Sequence, residues 1–363
     1  MITSRAAVVD AHGAPFTLRS IRVPEPGPGS VLVRIRAVGI CHTDVAVAAG
    51  HRDLPTPIVL GHEGAGDVET VGEGVTGIHV GDRVALSFAH CGACRACTGG
   101  HPSACAELIA RNFSGVDPHG RATLQAADGS ALHGSFFGQS SFSEYAVVDS
   151  RAVVRIPGEL PYELAAPLGC SIQTGAGAVW RVARVQPGDR VLVSGVGAVG
   201  QSAIMAARIS GAASIIAVDV APERLDVALA VGATDTIDAS RMDVPTALAR
   251  LLPDGADAAI DTSGRPSVID ASLTALRVGG TLALVASGRG ADSLALSRLV
   301  GKTVTGVLEG DSVPATSIPQ LAGLALDGRL PLERIVRTYP FESMGLALAD
   351  MHSGTAIKPV LLL

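Results

Sequence analysis

The sequence predicts a two-part protein, a doubly wound α/β unit with a parallel sheet joined to a β-rich, barrel-like body. Three observations carry that expectation. Residues 189–219 read as strand, glycine turn, helix, strand and terminal acid. From about 172 to 308 strand candidates alternate with helical runs, the rhythm of a parallel sheet. From residue 1 to about 150, short β-type runs alternate with Gly/Pro turns and show no helical period.

Taken in order, Met1-Ile2-Thr3-Ser4-Arg5-Ala6-Ala7-Val8-Val9 reads as an immediate strand, and Ser30–Ile35, Gly66–Val71 and Gly81–Leu86 as further short strands. Arg190-Val191-Leu192-Val193-Ser194 is apolar enough for a strand covered on both faces. A small-residue helix follows through Met205 and Ala207 to Ile209, then the strand Ser214–Val218 ending on Asp219. Pro222–Ala230 reads as helix, and Asp257–Ile260, Thr281–Val285 and Thr303–Val307 as strands. The tail from about 309 is mixed and closes on the apolar strand Lys358-Pro359-Val360-Leu361-Leu362, expected to return to the first body. The expected limits are therefore 1–171, 172–308 and 309–363.

Within the central run each residue type has a physical task. Gly195 permits a tight turn, Gly197 lets backbone approach a pyrophosphate, and Gly200 lets the helix pack close to the strand. The helix start offers N–H groups and a positive dipole end to phosphates. Asp219 can accept hydrogen bonds from an adenosine ribose and repels a 2′-phosphate, which favours NAD over NADP.

Composition narrows the function classes. Of 363 residues 47% are hydrophobic and 17% charged, which describes a well-buried globular protein and not a disordered one. A formal charge of −6 offers no basic stripe for nucleic acid, and 3% aromatics leave little for base stacking. No run of eighteen apolar residues and no basic-plus-apolar leader is present, so no membrane span is expected and a soluble, cytoplasmic protein is.

Four of the six cysteines fall within fifteen residues as Cys91-x2-Cys94-x2-Cys97-x7-Cys105. Four thiolates on one short loop close a tetrahedron around Zn²⁺ and leave no open position, so the role expected is structural. The remaining chemistry is dispersed: Cys41 in Gly39-Ile40-Cys41-His42-Thr43-Asp44, the run Leu60-Gly61-His62-Glu63-Gly64, and Cys170 in Pro167-Leu168-Gly169-Cys170. Spacing alone does not join these three.

Together, the Cys41 segment, Gly61-His62-Glu63, the four-cysteine loop, Leu168-Gly169-Cys170 and the glycine turn resemble, in order and essentially end to end, the zinc-dependent medium-chain alcohol dehydrogenases. Cys41–Asp44, Arg111–Gly115, Phe136–Phe142 and Glu309–Ser312 resemble the aryl (benzyl) alcohol dehydrogenase branch. The resemblance implies a GroES-like β-barrel catalytic domain beside a Rossmann domain, two Zn²⁺ per chain and NAD. It implies that Cys41, His62 and Cys170 hold a catalytic zinc, with Glu63 as an alternate ligand and Asp44 orienting His62. Thr43 then takes the proton of the substrate hydroxyl, and hydride passes reversibly from a zinc-bound alkoxide to the nicotinamide. His42 and Lys358 match positions that reach the pyrophosphate, and Val199 and Thr174 match positions packing on the nicotinamide. The position that often carries the outer relay histidine is Ala46 here, with His51 as a candidate substitute.

The substrate expected from the branch is a primary benzylic or allylic alcohol, giving an aldehyde. Phe88, Phe113, Phe136, Phe137 and Leu54 are candidate pocket residues. One rival is a thiol-conjugate (S-hydroxymethyl thiol) formaldehyde dehydrogenase, with Arg52 and Arg111 available for substrate charge. A polyol dehydrogenase is disfavoured because Cys170 is intact, and a non-catalytic nucleotide-binding sensor because no ligand is missing. The apolar run Thr303–Leu308 predicts edge-to-edge pairing in a homodimer or homotetramer.

Overall fold

Ser30–Gly39 is the strand around which the first part of the chain is built. Val31, Leu32, Val33, Ile35 and Val38 are all buried, because both faces of this strand are covered. It pairs antiparallel with Gly64–Val71, Tyr145–Asp149 and the C-terminal strand Lys358–Leu362. A Cβ on Gly66 would stand 2.0 Å from the Arg34 carbonyl, so only glycine allows the two strands this approach.

The structure, a computed structural model, describes residues 1–117, 119–286, 293 and 295–363. It divides into two units: Met1–Cys170 with Val313–Leu326 and Val336–Leu363, and Ser171–Ser312 with Asp327–Ile335. The first unit carries two sheets. One has the order Val153–Arg155, Arg83–Leu86, Gly64–Val71, Ser30–Gly39, Lys358–Leu362, Val336–Pro340. The other has the order Ile58–Val59, Ile2–Val9, Phe16–Val23, Leu124–Ala126, Ala131–Leu132. Phe88, Phe136, Phe142 and Phe341 are fully buried in its core, each contributing about 1.5–3 kcal/mol by burial.

The second unit is a six-stranded, wholly parallel sheet ordered Asp235–Asp238, Ser214–Asp219, Arg190–Ser194, Ala256–Asp261, Leu276–Leu284, Thr303–Gly306. Strand order reverses beside Arg190–Ser194, which puts the topological switch point at the C-terminal end of that strand. Helices Ala198–Ile209, Pro222–Val231, Val244–Leu251 and Pro266–Ala275 connect the strands. Asp243 caps the third of these, its carboxylate accepting from the Thr246 N–H at 3.0 Å.

In the parallel sheet of the second unit two strands differ from the sequence expectation. Asp235–Asp238 is a strand that the sequence reading left out, because two of its four residues are acidic and its edge position needs little apolar surface. Leu276–Leu284 begins five residues before the expected Thr281, since Leu276 already pairs with Ala256 ahead of a register shift. Thr303–Gly306 is the other edge strand, with Val300 and Leu308 beside it exposed. Among the described residues no helix is long and apolar enough to cross a membrane.

Candidate active site

The glycine turn of the second unit has the geometry its residues demand. Gly195 sits at φ +82°, and a Cβ there would meet Thr262 Oγ1 at 2.6 Å. A Cβ on Gly200 would be 2.0 Å from the Gly195 carbonyl, so the first turn of Ala198–Ile209 lies against the strand end only because position 200 is bare. Around Gly197 the space is open, and no side chain caps this helix start. Its backbone N–H groups thus face a gap suited to phosphate. Asp219 is buried and accepts from the N–H groups of Val196 (2.7 Å), Val220 (2.8 Å) and Ala221 (3.0 Å), which points its carboxylate at the turn. Thr174, buried on Ser171–Gly177, and half-buried Val199 lie on two helices that touch at Gly175, where a Cβ would stand 2.2 Å from the Val199 carbonyl.

In the first unit the thiols of Cys91, Cys94, Cys97 and Cys105 lie within 4.8 Å of one another. Cys91 and Cys97 Sγ are 3.9 Å apart, close to the edge of about 3.8 Å expected for a tetrahedron with Zn–S near 2.3 Å. Backbone N–H groups point at the sulfurs: Ala93 and Cys94 donate to Cys91, and Cys91 and Glu107 donate to Cys105. N–H groups of Cys97 and Ala106 draw the Cys94 thiol down to about 6. Burial and the neighbouring Cys94 sulfur push the Cys97 thiol up to about 12. Such a split, with charge crowded on four sulfurs, is what a divalent cation relieves.

A second cluster gathers Cys41, His62, Glu63 and Cys170, whose ligand atoms also lie within 4.8 Å of one another. Asp44 organises it. Cys41 is the N-cap of His42–Ala48, and its N–H donates to Asp44 Oδ2 at 2.9 Å. Asp44 Oδ1 accepts from Gly61 N at 3.1 Å and from His62 Nδ1 at 2.9 Å. One fully buried carboxylate therefore fixes two ligand segments and assigns the Nδ1 proton. His62 Nε2 is left buried without a hydrogen-bond partner among the described residues, an orphan acceptor that a metal ion satisfies.

The electrostatics agree with a cation site. Hydrogen bonding from Cys170, helped by His62 and Lys358, holds the Cys41 thiol well below its ordinary value despite burial. Burial alone would push His62 down, but Asp44 and Cys41 outweigh it and raise the imidazole. Thr43 Oγ1 lies 3.7 Å from Cys41 Sγ. His42 is exposed on the first turn of the helix, and Ala46 is half-buried one turn on. His51 is exposed beyond the helix end.

Lys358 is a correction. The sequence reading had it reaching a pyrophosphate or lying on the surface. Its ammonium is buried and gives all three donors inward, to the Ile40 carbonyl (3.0 Å) and to Glu63 Oε1 (3.0 Å) and Oε2 (2.9 Å). The Glu63 charge raises Lys358 against its burial, while burial raises Glu63 despite the ammonium. Gly39 leaves room for this pair, since a Cβ there would fall 2.0 Å from Glu63 Oε2. Glu63 is thereby tethered beside the cluster.

Of the candidate pocket residues, Phe113, Phe136 and Phe137 form one edge-to-face group, with the Phe137 ring stacked on His62 at 4.3 Å and 20°. Phe88 lies by His90 (5.9 Å), and Leu54 is buried core. The Arg52 guanidinium lies over Phe113 at 4.4 Å, while Arg111 pairs with Glu107 at 2.6 Å. The sequence reading includes Gln139, buried beside His62, only within the Phe136–Phe142 resemblance and gives it no role, and it does not foresee the Lys358–Glu63 pair, which has no local signal.

Comparison with known proteins gives a consistent picture. Residues 27–158 match the family model described as alcohol dehydrogenase GroES-like domain, and residues 198–325 the one described as zinc-binding dehydrogenase. The chain is 38% identical over 365 residues to geraniol dehydrogenase of Castellaniella defragrans, covering 99% of this chain and 98% of that one. It is 34% identical over 370 residues to S-(hydroxymethyl)glutathione dehydrogenase of Candida maltosa, covering 99% and 97%. The crystal structure of benzyl alcohol dehydrogenase from Acinetobacter calcoaceticus superposes with a TM-score of 0.96 at 37% identity, covering 100% of both chains.

Proposed function

The chain belongs to the zinc-dependent medium-chain alcohol dehydrogenases, which use NAD, and from that premise we propose that it interconverts primary benzylic or allylic alcohols and their aldehydes. The observation that carries the chemistry is the convergence of the Cys41, His62 and Cys170 ligand atoms beside an unpartnered His62 Nε2. Cys41, His62 and Cys170 would hold a zinc ion there, which would supply Lewis acidity toward a substrate hydroxyl, and NAD on the second unit would supply the hydride acceptor.

The chain's own residues do the rest. Asp44 keeps the proton on His62 Nδ1 so that Nε2 serves as ligand. The Thr43 hydroxyl accepts the substrate proton, and with Ala46 in place of a histidine that proton leaves by another path. Lys358 pairs with the Glu63 carboxylate, which would leave Glu63 as a reserve ligand while Cys41, His62 and Cys170 hold the ion. In the second unit the uncapped N–H groups at the start of Ala198–Ile209 would cradle the pyrophosphate, and Asp219, positioned by the Val196 N–H, would take the adenosine ribose. Thr174 and Val199 pack on the nicotinamide, and His42 offers a pH-dependent contact to phosphate.

Support for the substrate class is half-buried Phe113 edge-on to Phe137, whose ring lies flat on His62, aromatic surface suited to a flat or unsaturated alcohol, with Phe136 as core behind them. The relatives named for geraniol and benzyl alcohol favour the same class. The thiol-conjugate reading draws on the relative named for S-(hydroxymethyl)glutathione, but Arg111 is already paired with Glu107 and Arg52 is stacked on Phe113. NAD reduction over benzyl, cinnamyl, geranyl, ethyl and polyol alcohols, and over formaldehyde with added glutathione, separates these readings. We expect kcat/KM for benzyl or geranyl alcohol at least about tenfold above ethanol, with no requirement for thiol; strict dependence on thiol would replace this reading with the rival. The edge strand Thr303–Gly306, with exposed Val300 and Leu308, supports a homo-oligomer, and light scattering at micromolar concentration that gives a monomer would dispose of it.

A further inference from the structure

Residues 135–142 contain three non-glycine residues in the left-handed region, Ser135 (φ 58°), Phe137 (φ 51°) and Ser140 (φ 51°), with Gly138 (φ 65°) between them. Such backbone persists only where its surroundings dictate it. Here the surroundings are the segment that carries His62. Ser140 Oγ donates to the Val59 carbonyl (2.7 Å), Phe142 N to Leu60 (2.9 Å) and Ser141 N to Gly61 (2.9 Å). Gln139 completes the series through its side chain. Its Nε2 donates to the His62 carbonyl (2.9 Å) and to the Ser87 carbonyl (3.2 Å), and its Oε1 accepts from Gly64 N (3.2 Å) and Ser141 Oγ (2.8 Å). All four hydrogen-bonding capacities of this buried amide are used.

The bonds to the His62 carbonyl and the Gly64 N–H flank Glu63, so Gln139 clasps the backbone stretch that carries both His62 and Glu63 into the metal cluster. The same loop sets the imidazole plane from outside, by the Phe137 ring stacked on His62 and the Phe136 ring meeting it edge-on at 5.5 Å. We propose that Gln139 is a positioning residue for the metal site, setting the depth of His62 and Glu63 through backbone contacts while Phe137 sets the ring plane. This rests on the reading that Cys41, His62 and Cys170 hold zinc. Asp44 fixes the tautomer of His62; Gln139 fixes where the ligand stands.

The test uses the holoenzyme, Gln139→Leu, and Asn112→Leu as comparator. Asn112 is another fully buried amide of the same unit, bonded to Ala89 N, Ala89 O and Leu108 O, so its loss matches the structural damage without touching His62. Zinc affinity of each site is read with a chromophoric chelator, and ligand geometry by the visible spectrum after cobalt substitution, with Tm recorded alongside. We expect Gln139→Leu to weaken one of the two sites by about 10–100-fold and to shift its cobalt bands, while Asn112→Leu leaves that site within about twofold at a similar loss of Tm. Equal behaviour of the two variants, or a wild-type cobalt spectrum in Gln139→Leu, would overturn the assignment. Should the leucine variant not accumulate, Gln139→Glu, which loses both donations and keeps the acceptor, is judged by the same two criteria. Wild-type protein that takes up a single zinc would defeat the zinc reading itself, which distinguishes the two failures.

Discussion

The two metal-binding clusters of the first unit are built in opposite ways. Cys91, Cys94, Cys97 and Cys105 come from one loop, and its own backbone N–H groups stabilise the sulfurs. Cys41, His62 and Cys170 come from three separated segments, and side chains from elsewhere in the chain brace them: Asp44 holds Cys41 and His62, Gln139 holds the His62 carbonyl, and Lys358 tethers Glu63. A loop that supplies four thiolates fills the tetrahedron and can bind nothing else, whereas three ligands held from outside leave a position for substrate. If both clusters hold zinc as proposed, reactivity should depend on the buried polar residues around the dispersed site, and stability on the short loop.

The sharpest way to break this contrast is Cys170→Ala. It should remove one of two zincs, leave the four-cysteine site filled, and cost several kcal/mol of transition-state stabilisation, about a thousandfold in kcat. Zinc counting and steady-state kinetics check it, and a variant that keeps both metals and full turnover would refute the ligand set. Next comes Asp44→Asn. Since Asp44 serves Cys41 and His62 together, metal affinity at the dispersed site and kcat should fall about 10–100-fold with the loop zinc untouched. Site-resolved chelator titration reads this.

Cys105→Ala tests the other side. It should release the loop zinc and lower Tm by about 5–10 °C for a loss of about 3 kcal/mol, with kcat per remaining zinc little changed; calorimetry with a metal count decides.

The smallest effect concerns Asp149, which braces the loop from outside. Its carboxylate accepts from Arg151 Nε at 2.9 Å, and Arg151 also donates to the Cys91 carbonyl. Burial would raise Asp149, but the Arg151 bonds outweigh it and hold the carboxyl below its ordinary 3.8. A depressed folded-state value contributes stability above about pH 4 that is lost as pH falls through the folded value. Asp149→Asn should flatten that part of the acid limb. With Arg151 and Asp149 side chains 45% and 27% exposed, solvent screening keeps the change under about 1 kcal/mol. Denaturation between pH 5 and 2 shows it.

Much of the architecture could be read from the chain because its causes are local. Arg190–Ser194 and Ser214–Asp219 announce buried parallel strands by continuous apolar character, and Gly195, Gly197 and Gly200 stand where bare backbone is required. Asp235–Asp238 escaped notice because an edge strand needs no apolar run. That Asp327–Ile335 goes with the second unit left no trace in composition. Family resemblance, not spacing, joined Cys41, His62 and Cys170, and it led Lys358 astray, because a lysine near a chain end carries no sign of what it will face.

What the sequence by itself determined is therefore what lies within a few residues: the cysteine loop, the glycine turn with its acid, and the alternation of strand and helix. Spacings of two to seven residues constrain geometry directly, since the backbone allows few conformations over so short a span. Tertiary structure alone decided that Lys358 meets Glu63, that Gln139 spans the His62 segment, and that Phe137 lies flat on the imidazole. Those contacts join residues 75 to 295 positions apart. At such separations partners are set by how the sheets pack, which no local pattern encodes.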